Sequence, residues 1–307
     1  MQSEQAILSF LSIISLISFF VTLTIEKISS KIGNGILLDQ DFDKPQSFHR
    51  EPVARSGGLA AMISLMVFII MYYLLFGRIL NDYLFLSIVL FLIGFLDDIK
   101  FRINPNTRLF LMITFLSLSI IFLSINIDNM DVSFLKAWMQ SRVFEVIFVL
   151  LCFLFIINGA NLIDGFNGLL TIHLIIINFI LLLINIDNQQ TELSLIIIGQ
   201  IAILFSFLLF NFPKAKIFLG DSGSYLFGSL VTLNIIGTNN LNREISSFFF
   251  CILLFYLFFE VFFSFFRKLY LRRSPLKPDR NHLHMLSYNY LEKSQKFKDC
   301  NYLNSFA

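Results

Sequence analysis

The chain has 307 residues, of which 56% are hydrophobic, 16% aromatic and only 14% charged, with a net charge of +2. A soluble protein of this size cannot conceal so much apolar surface, because much of its exterior must be polar or charged. Lipid is therefore the solvent for most of the chain, and the small net charge does not suggest a nucleic-acid partner.

Apolar runs of roughly bilayer-crossing length recur along the chain, separated by short polar breaks. The predicted spans lie at 6–25, 57–76, 83–96, 109–127, 143–157, 169–185, 193–210, 222–238 and 246–266, nine in all. The third and fifth are short because polar motifs at their ends continue the helix. The fold class is an all-α polytopic membrane protein, with a multi-span domain over 1–285 and a polar tail over 286–307. The first span has no basic leader and no small-residue cleavage site, so it reads as a retained helix. Cys152, Cys251 and Cys300 have neither metal nor redox spacing and read as free thiols.

The breaks alternate in basic content. Those at 26–55, 97–108, 158–168, 211–221 and 267–307 hold 19 of the 23 Lys and Arg residues. The others hold Arg78, Lys136, Arg142 and Arg243. The positive-inside rule places the first set in the cytosol and the N-terminus outside. Every recognisable motif falls in that first set, so five patches converge on one membrane face.

The first patch runs from Asp43 through Gln46, Ser47, His49 and Arg55 to Gly57-Gly58. Its prolines keep it extended, and the glycine pair opens the second span, where backbone N–H groups and Arg55 could meet an anion. A basic flank obeying the positive-inside rule is the plainer reading. The second patch is Gly94-Phe95-Leu96-Asp97-Asp98, followed by Asn104-Pro105-Asn106-Thr107-Arg108. Adjacent carboxylates repel unless a cation lies between them. Neighbours on a helix diverge by about 100°, so one Asp would face a metal and the other a substrate group. Simple capping explains the pair poorly, because acids at a helix C-terminus meet the unfavourable end of the dipole.

The third patch, Asn158-Gly-Ala-Asn161-Leu-Ile-Asp164-Gly-Phe-Asn167-Gly168, breaks the helix between two spans. Its amides offer paired donors and acceptors that suit the imide edge of a uracil. An Asx-type turn accounts for its glycines and asparagines better than for Asp164. The fourth runs from Asn211 to Phe218-Leu-Gly220-Asp221-Ser222-Gly-Ser224. Asp221 or Ser222 is expected to cap the eighth span, and such a helix start beside a carboxylate can hold a phosphate with its Mg²⁺. The fifth, Lys277-Pro-Asp-Arg280-Asn-His282-Leu-His284, has two histidines that share a face if the segment is extended. No cysteine or third histidine lies near for zinc, which favours a diphosphate cradle with Arg280 over a metal site. A basic membrane-surface patch would explain the arginine but not the histidines.

Three single residues stand apart. His173 reads as packed within its span, and Glu145 with Arg142 as an interfacial pair. Glu260, with Ser264 and Arg267 at helical spacing, is an acid inside a span and a functional candidate on that ground. An ion-coupled transporter would use it as part of an acid-lined path, although transporters place most such groups near the bilayer midplane.

Taken in order, Asp97-Asp98, Asn161-Leu-Ile-Asp164-Gly-Phe-Asn-Gly, Phe218-Leu-Gly-Asp221-Ser-Gly-Ser and Pro278-Asp-Arg-Asn-His282-Leu-His284 resemble the polyprenyl-phosphate N-acetylhexosamine-1-phosphate transferases of glycosyltransferase family 4. The resemblance covers about 33–285. It implies transfer of a sugar 1-phosphate from a UDP-amino sugar, with GlcNAc favoured, to undecaprenyl phosphate, releasing UMP. It further implies a Mg²⁺ cofactor, with Mn²⁺ as a substitute, and the cytoplasmic membrane of a bacterium, where a homodimer is compatible. Carried over, Asp97 and Asp98 are the catalytic carboxylates, and Asp221 with Asp98 holds the metal. Asn161, Asp164, Asn211, Arg280, His282 and His284 bind substrate, joined by Arg55.

The match has departures. Asn167 stands where some members have Asp, Gln46 where many have Arg, and Lys100-Phe101 follow the Asp pair where some relatives carry a third Asp. The family has a further membrane helix after the His-x-His loop, whereas 286–307 holds no run long enough to span. The family's last helix is therefore expected to be missing, and an inactive truncated homologue acting as a membrane partner is the alternative.

Overall fold

The computed structural model describes residues 2–31, 35–39, 52–101, 103–274 and 281–293, with side chains from residue 7 onward. Helix α1 (Gln2–Ser29) leads to a two-residue antiparallel pair, β1 (Leu38–Asp39) and β2 (Val53–Ala54). Then come α2 (Gly57–Phe76), α3 (Asn81–Asp98), α4 (Pro105–Phe122), the short α5 (Ser133–Trp138) and α6 (Arg142–Ile163). The chain continues through α7 (Leu169–Asp187), α8 (Thr191–Asn211), α9 (Gly220–Leu241), α10 (Ser247–Leu253), α11 (Phe255–Tyr270) and α12 (Leu283–Lys293).

Each expected span coincides with a helix or, for the last, with the α10–α11 pair. Among the described residues six helices are long and apolar enough to cross a membrane, and α10 with α11, bent by 68°, can make a seventh. The protein is a multi-pass membrane protein. Two further long helices differ for separate reasons: α3 is as apolar as several of these spans but carries three acids, whereas α9 is rich in Ser, Thr, Asn and Gly. The two expected short spans do run on into their motifs, since α3 continues to Asp98 and α6 to Ile163.

Helix α9 is the axis of the bundle. It packs against α3, α6, α2 and α7, and 18 of its 22 residues are buried. Small residues at such contacts let backbones approach closely, which is how helices associate without a hydrophobic drive in lipid. A Cβ on Gly94 would lie 2.5 Å from the Asp221 carbonyl oxygen, and one on Gly58 would lie 2.4 Å from the Gly223 nitrogen. The interior of α9 is also held by amides. Asn234 donates to Asn178 and Gln200, both at 2.8 Å, and accepts from the Tyr83 hydroxyl at 2.9 Å.

Cys152 and Cys251 are free thiols, and Arg142 pairs with Glu145 at 2.7 Å. His173 packs edge-on against Tyr256, with ring centroids 5.6 Å apart. Cys300 lies outside the described residues.

Candidate active site

The site is assembled where the N-terminal end of α9 meets the ends of α3 and α6. Gly94, Asp97 and Asp98 stand at i, i+3 and i+4, which puts them on one face of α3. The close approach at Gly94 presses that face against α9, and the two carboxylates then diverge to different partners. Asp98 is buried, and its Oδ1 accepts the Asp221 backbone N–H at 3.0 Å. Its Oδ2 accepts the Ser222 N–H at 3.0 Å and the Ser222 hydroxyl at 2.5 Å. The N-terminus of α9 is thus capped from another helix.

This corrects the expected self-capping by Asp221 or Ser222. The residue at the cap position is Leu219, which offers no side-chain acceptor. Free N–H groups at a helix start attract a carboxylate by hydrogen bonding and by the dipole together. Gly220 makes room for this carboxylate. Its φ is +77°, and a Cβ there would lie 2.7 Å from both Asp98 oxygens.

Asp97 turns the other way. Its Oδ2 accepts from Arg108 Nη1 at 2.8 Å, and the same nitrogen donates to Asp221 Oδ2 at 2.9 Å. Asn161, in the last turn of α6, donates to Asp221 Oδ1 at 3.0 Å. Arg108 also lies over the Tyr225 ring, 5.7 Å from its centroid. One cation therefore sits between the carboxylates of Asp97 and Asp221. Of the adjacent pair, Asp97 converges with Asp221, while Asp98 spends three hydrogen bonds on α9.

No motif marks Arg108 as a site residue, yet its local position carries a signal. It lies in the first turn of α4, behind Pro105, where the helix dipole disfavours a cation. A basic residue in that place is mildly disfavoured by the dipole, and here carboxylates from α3 and α9 offset it.

Asp164 terminates α6 and accepts from the Ser224 hydroxyl at 3.0 Å. Burial pushes its carboxyl up to about 7; the Ser224 hydrogen bond opposes the shift and the Asp221 charge adds to it. The break between α6 and α7 is shorter than expected, because Asn158 and Asn161 are still helical and only 164–168 leave the helix. Asn211 is buried and bridges two loops, accepting the Gly168 N–H at 2.6 Å and donating to the Ile217 carbonyl at 2.9 Å. Asn167 adds a bond to the Pro213 carbonyl at 3.0 Å. Asn211 thereby fixes the loops around the site and has both ends of its amide engaged.

Arg55 reaches this region from β2. It donates through Nε and Nη2 to Asp39 Oδ2 at 2.9 and 2.6 Å. Burial works against its charge, but the carboxylates of Asp221, Asp39 and Asp98 outweigh it and raise its pKa. Asp39 was not a candidate, and its sequence neighbourhood carries no motif.

The glycine pair differs from expectation. The N–H groups of Gly57 and Gly58 donate to the carbonyls of Phe218 and Leu219 at 2.9 and 2.8 Å, so they are not open to an anion. Their lack of side chains serves the close approach to α9.

The histidines sit at the start of α12, so the extended conformation that would have put them on one face is not what unites them. His282 Nδ1 lies 2.9 Å from Glu260 Oε2, and both side chains are fully buried. His284 packs edge-on against Phe166, with centroids 5.6 Å apart, which joins this segment to the 164–168 loop. Burial lowers the His284 pKa, with the Glu260 hydrogen bond opposing the shift. Arg280, Gln46, Ser47 and His49 lie outside the described residues.

Comparison with known proteins identifies the family. Residues 80–239, which span Asp97 to Ser224, match the model of glycosyl transferase family 4. An undecaprenyl-phosphate alpha-N-acetylglucosaminyl 1-phosphate transferase of Thermotoga maritima is 30% identical over 298 residues, covering 95% of this chain and 85% of that protein. A phospho-N-acetylmuramoyl-pentapeptide-transferase of Dictyoglomus turgidum is 31% identical over 233 residues, covering 72% of this chain and 73% of that protein. The chain, with its acidic centre at the α3–α9 contact, belongs to glycosyl transferase family 4.

Proposed function

We propose that the protein transfers a sugar 1-phosphate from a UDP-N-acetylhexosamine, GlcNAc-type favoured, to undecaprenyl phosphate, releasing UMP. This is the first membrane step in building a cell-envelope polysaccharide. The observation that carries the reading is the convergence of Asp97 and Asp221 on one guanidinium, that of Arg108, in a chain belonging to a glycosyl transferase family. Both relatives named above are sugar-phosphate transferases by their names.

The centre fits a divalent cation. Asp97 Oδ2 and Asp221 Oδ2 both lie within hydrogen-bond reach of the same Arg108 nitrogen, so they address a single positive charge. An all-oxygen donor set suits Mg²⁺ or Mn²⁺. Among the described residues no three His, Cys, Asp or Glu side chains form a closed metal cluster. Mg²⁺ is usually held by one or two carboxylates plus substrate phosphates and water, so two carboxylates are a sufficient protein contribution. When bound, Mg²⁺ would neutralise charge on the diphosphate under attack.

The chain's own residues do the rest. Asp221 and Asp97 hold the cation, and Asn161 orients Asp221. Arg108 and Arg55 supply positive charge, which lowers the repulsion between the lipid phosphate and the UDP-sugar diphosphate. Asp98 fixes the start of α9, and thereby Asp221. Asp164 and the loop around it line the nucleotide, with the His282–His284 segment behind them. The lipid phosphate oxygen attacks the phosphorus bearing the sugar, and the bond to UMP breaks. The basic content of the breaks supports a cytosolic site and an outside N-terminus.

The transporter reading loses its main support, since the buried acid Glu260 is occupied by the His282–Leu283 segment. The test is the mass of the lipid product formed by the full-length protein in liposomes with undecaprenyl phosphate, Mg²⁺ and a panel of UDP-sugars. Undecaprenyl diphosphate bearing an N-acetylhexosamine, with UMP in equal amount, is the expected result. Absence of any lipid-linked product from the whole panel would overturn the proposal.

A further inference from the structure

Glu260 lies on α11 with its side chain fully buried, on the face that also buries Leu257, Ser264 and Lys268. The remainder of the helix is phenylalanine-rich, with Phe255, Phe262, Phe263 and Phe266 exposed. A carboxylate in such a setting is costly unless hydrogen bonds compensate it. Here they come from one short stretch of chain. Oε2 lies 2.9 Å from His282 Nδ1, and Oε1 accepts the Leu283 backbone N–H at 2.8 Å. His284 Nδ1 lies 3.4 Å from the same Oε1 and 3.4 Å from the Tyr256 hydroxyl. Two turns further along α11, Arg267 donates to the Asn281 carbonyl.

Four consecutive residues are thus held from one helix face. The Leu283 N–H is the first of α12, so Glu260 caps α12 from a distance just as Asp98 caps α9. The two imidazoles are drawn parallel, with centroids 5.5 Å apart and planes 11° apart. The outer ring then rests against Phe166, two residues from Asp164.

We propose that Glu260 is a positioning residue for the transfer reaction. It holds the proton of His282 on Nδ1 and fixes the His282–His284 pair against the 164–168 loop. This rests on the function proposed above. A hydrogen bond to one ring nitrogen decides the tautomer of a histidine, and therefore what the other nitrogen presents.

The experiment uses full-length protein labelled with ¹⁵N-histidine in nanodiscs, with His282 assigned through His282→Gln. The wild type is expected to show His282 protonated at Nδ1. Glu260→Ala is expected to lose that signal and to lower kcat about 10–100-fold, with the KM for the UDP-sugar changed less than about threefold. Glu260→Gln, of the same size and still able to accept one hydrogen bond, is expected to recover part of kcat and part of the signal. It also serves where the alanine variant fails to fold. Persistence of the full Nδ1 signal in folded Glu260→Ala would overturn the proposal, as would Glu260→Gln with the wild-type signal and kcat, or loss of the proton with kcat unchanged. A wild type that makes no lipid product would instead refute the transferase reading, while the ¹⁵N spectrum would still decide whether Glu260 sets the ring.

Discussion

The adjacent carboxylates offer a sharp test, because the structure gives them unlike duties. Asp98 accepts three hydrogen bonds at the start of α9 and is buried, whereas the Asp97 side chain is 28% exposed. Hydrogen bonds to a charged acceptor contribute about 1.5–3 kcal/mol each. Asp98→Asn keeps one acceptor oxygen but turns an amide N–H toward a donor, so at least one bond is lost with the charge. The expected loss of stability is about 1.5–3 kcal/mol, comparable with or larger than a strong helix cap. A change of about 2 kcal/mol raises the unfolded fraction roughly 30-fold. Asp97→Asn removes a partly exposed ion pair, which contributes no more than about 1 kcal/mol. Thermal unfolding of the purified variants without substrate measures the difference, and the order expected is Asp98→Asn well below Asp97→Asn, which lies close to wild type. Asp98→Asn with wild-type stability and abolished transfer would refute the argument, making Asp98 a chemical group and not the cap.

Removing the guanidinium in Arg108→Ala leaves Asp97 and Asp221 facing each other, and like charges at that range repel. The melting temperature of this variant is expected to rise with added Mg²⁺ more steeply than that of the wild type, read by thermal shift against EDTA. Gly220→Ala forces a side chain into a left-handed conformation and against Asp98, so a loss of about 1–3 kcal/mol is expected, together with lower yield of folded protein. Asn211→Ala strands the Gly168 N–H and the Ile217 carbonyl. It should cost about 1–3 kcal/mol and raise the KM for the UDP-sugar, measured by unfolding and initial rates.

Much of the fold is legible because lipid imposes it. Runs such as 57–76 and 169–185 have few alternatives to a helix, as irregular backbone cannot face hydrocarbon. The clustering of motifs on one face also follows from the sequence, through the distribution of Lys and Arg. What is not legible is which polar group meets which. Asp97 and Asp98 look equivalent in the chain, and only the contact through Gly94 separates a cap from a cation-binding group. Gly57-Gly58 has the appearance of an anion-binding helix start, yet its N–H groups are claimed by Phe218 and Leu219, some 160 residues away. Glu260 was visible as a buried acid, but its partners at 282–284 come from the next helix, and no periodicity within α11 encodes them. Asp39 left no trace, since its pairing with Arg55 depends on a two-residue ladder.

Asp221 is the hub of the centre: its carboxylate accepts from Arg108 and Asn161, and its backbone N–H donates to Asp98. The decisive measurement is transfer of labelled sugar phosphate from UDP-GlcNAc to undecaprenyl phosphate by wild type and Asp221→Asn, side by side in the same liposomes with Mg²⁺. Labelled lipid and UMP from the wild type, with neither from a folded Asp221→Asn, is the predicted result. Equal turnover by the two proteins would contradict it.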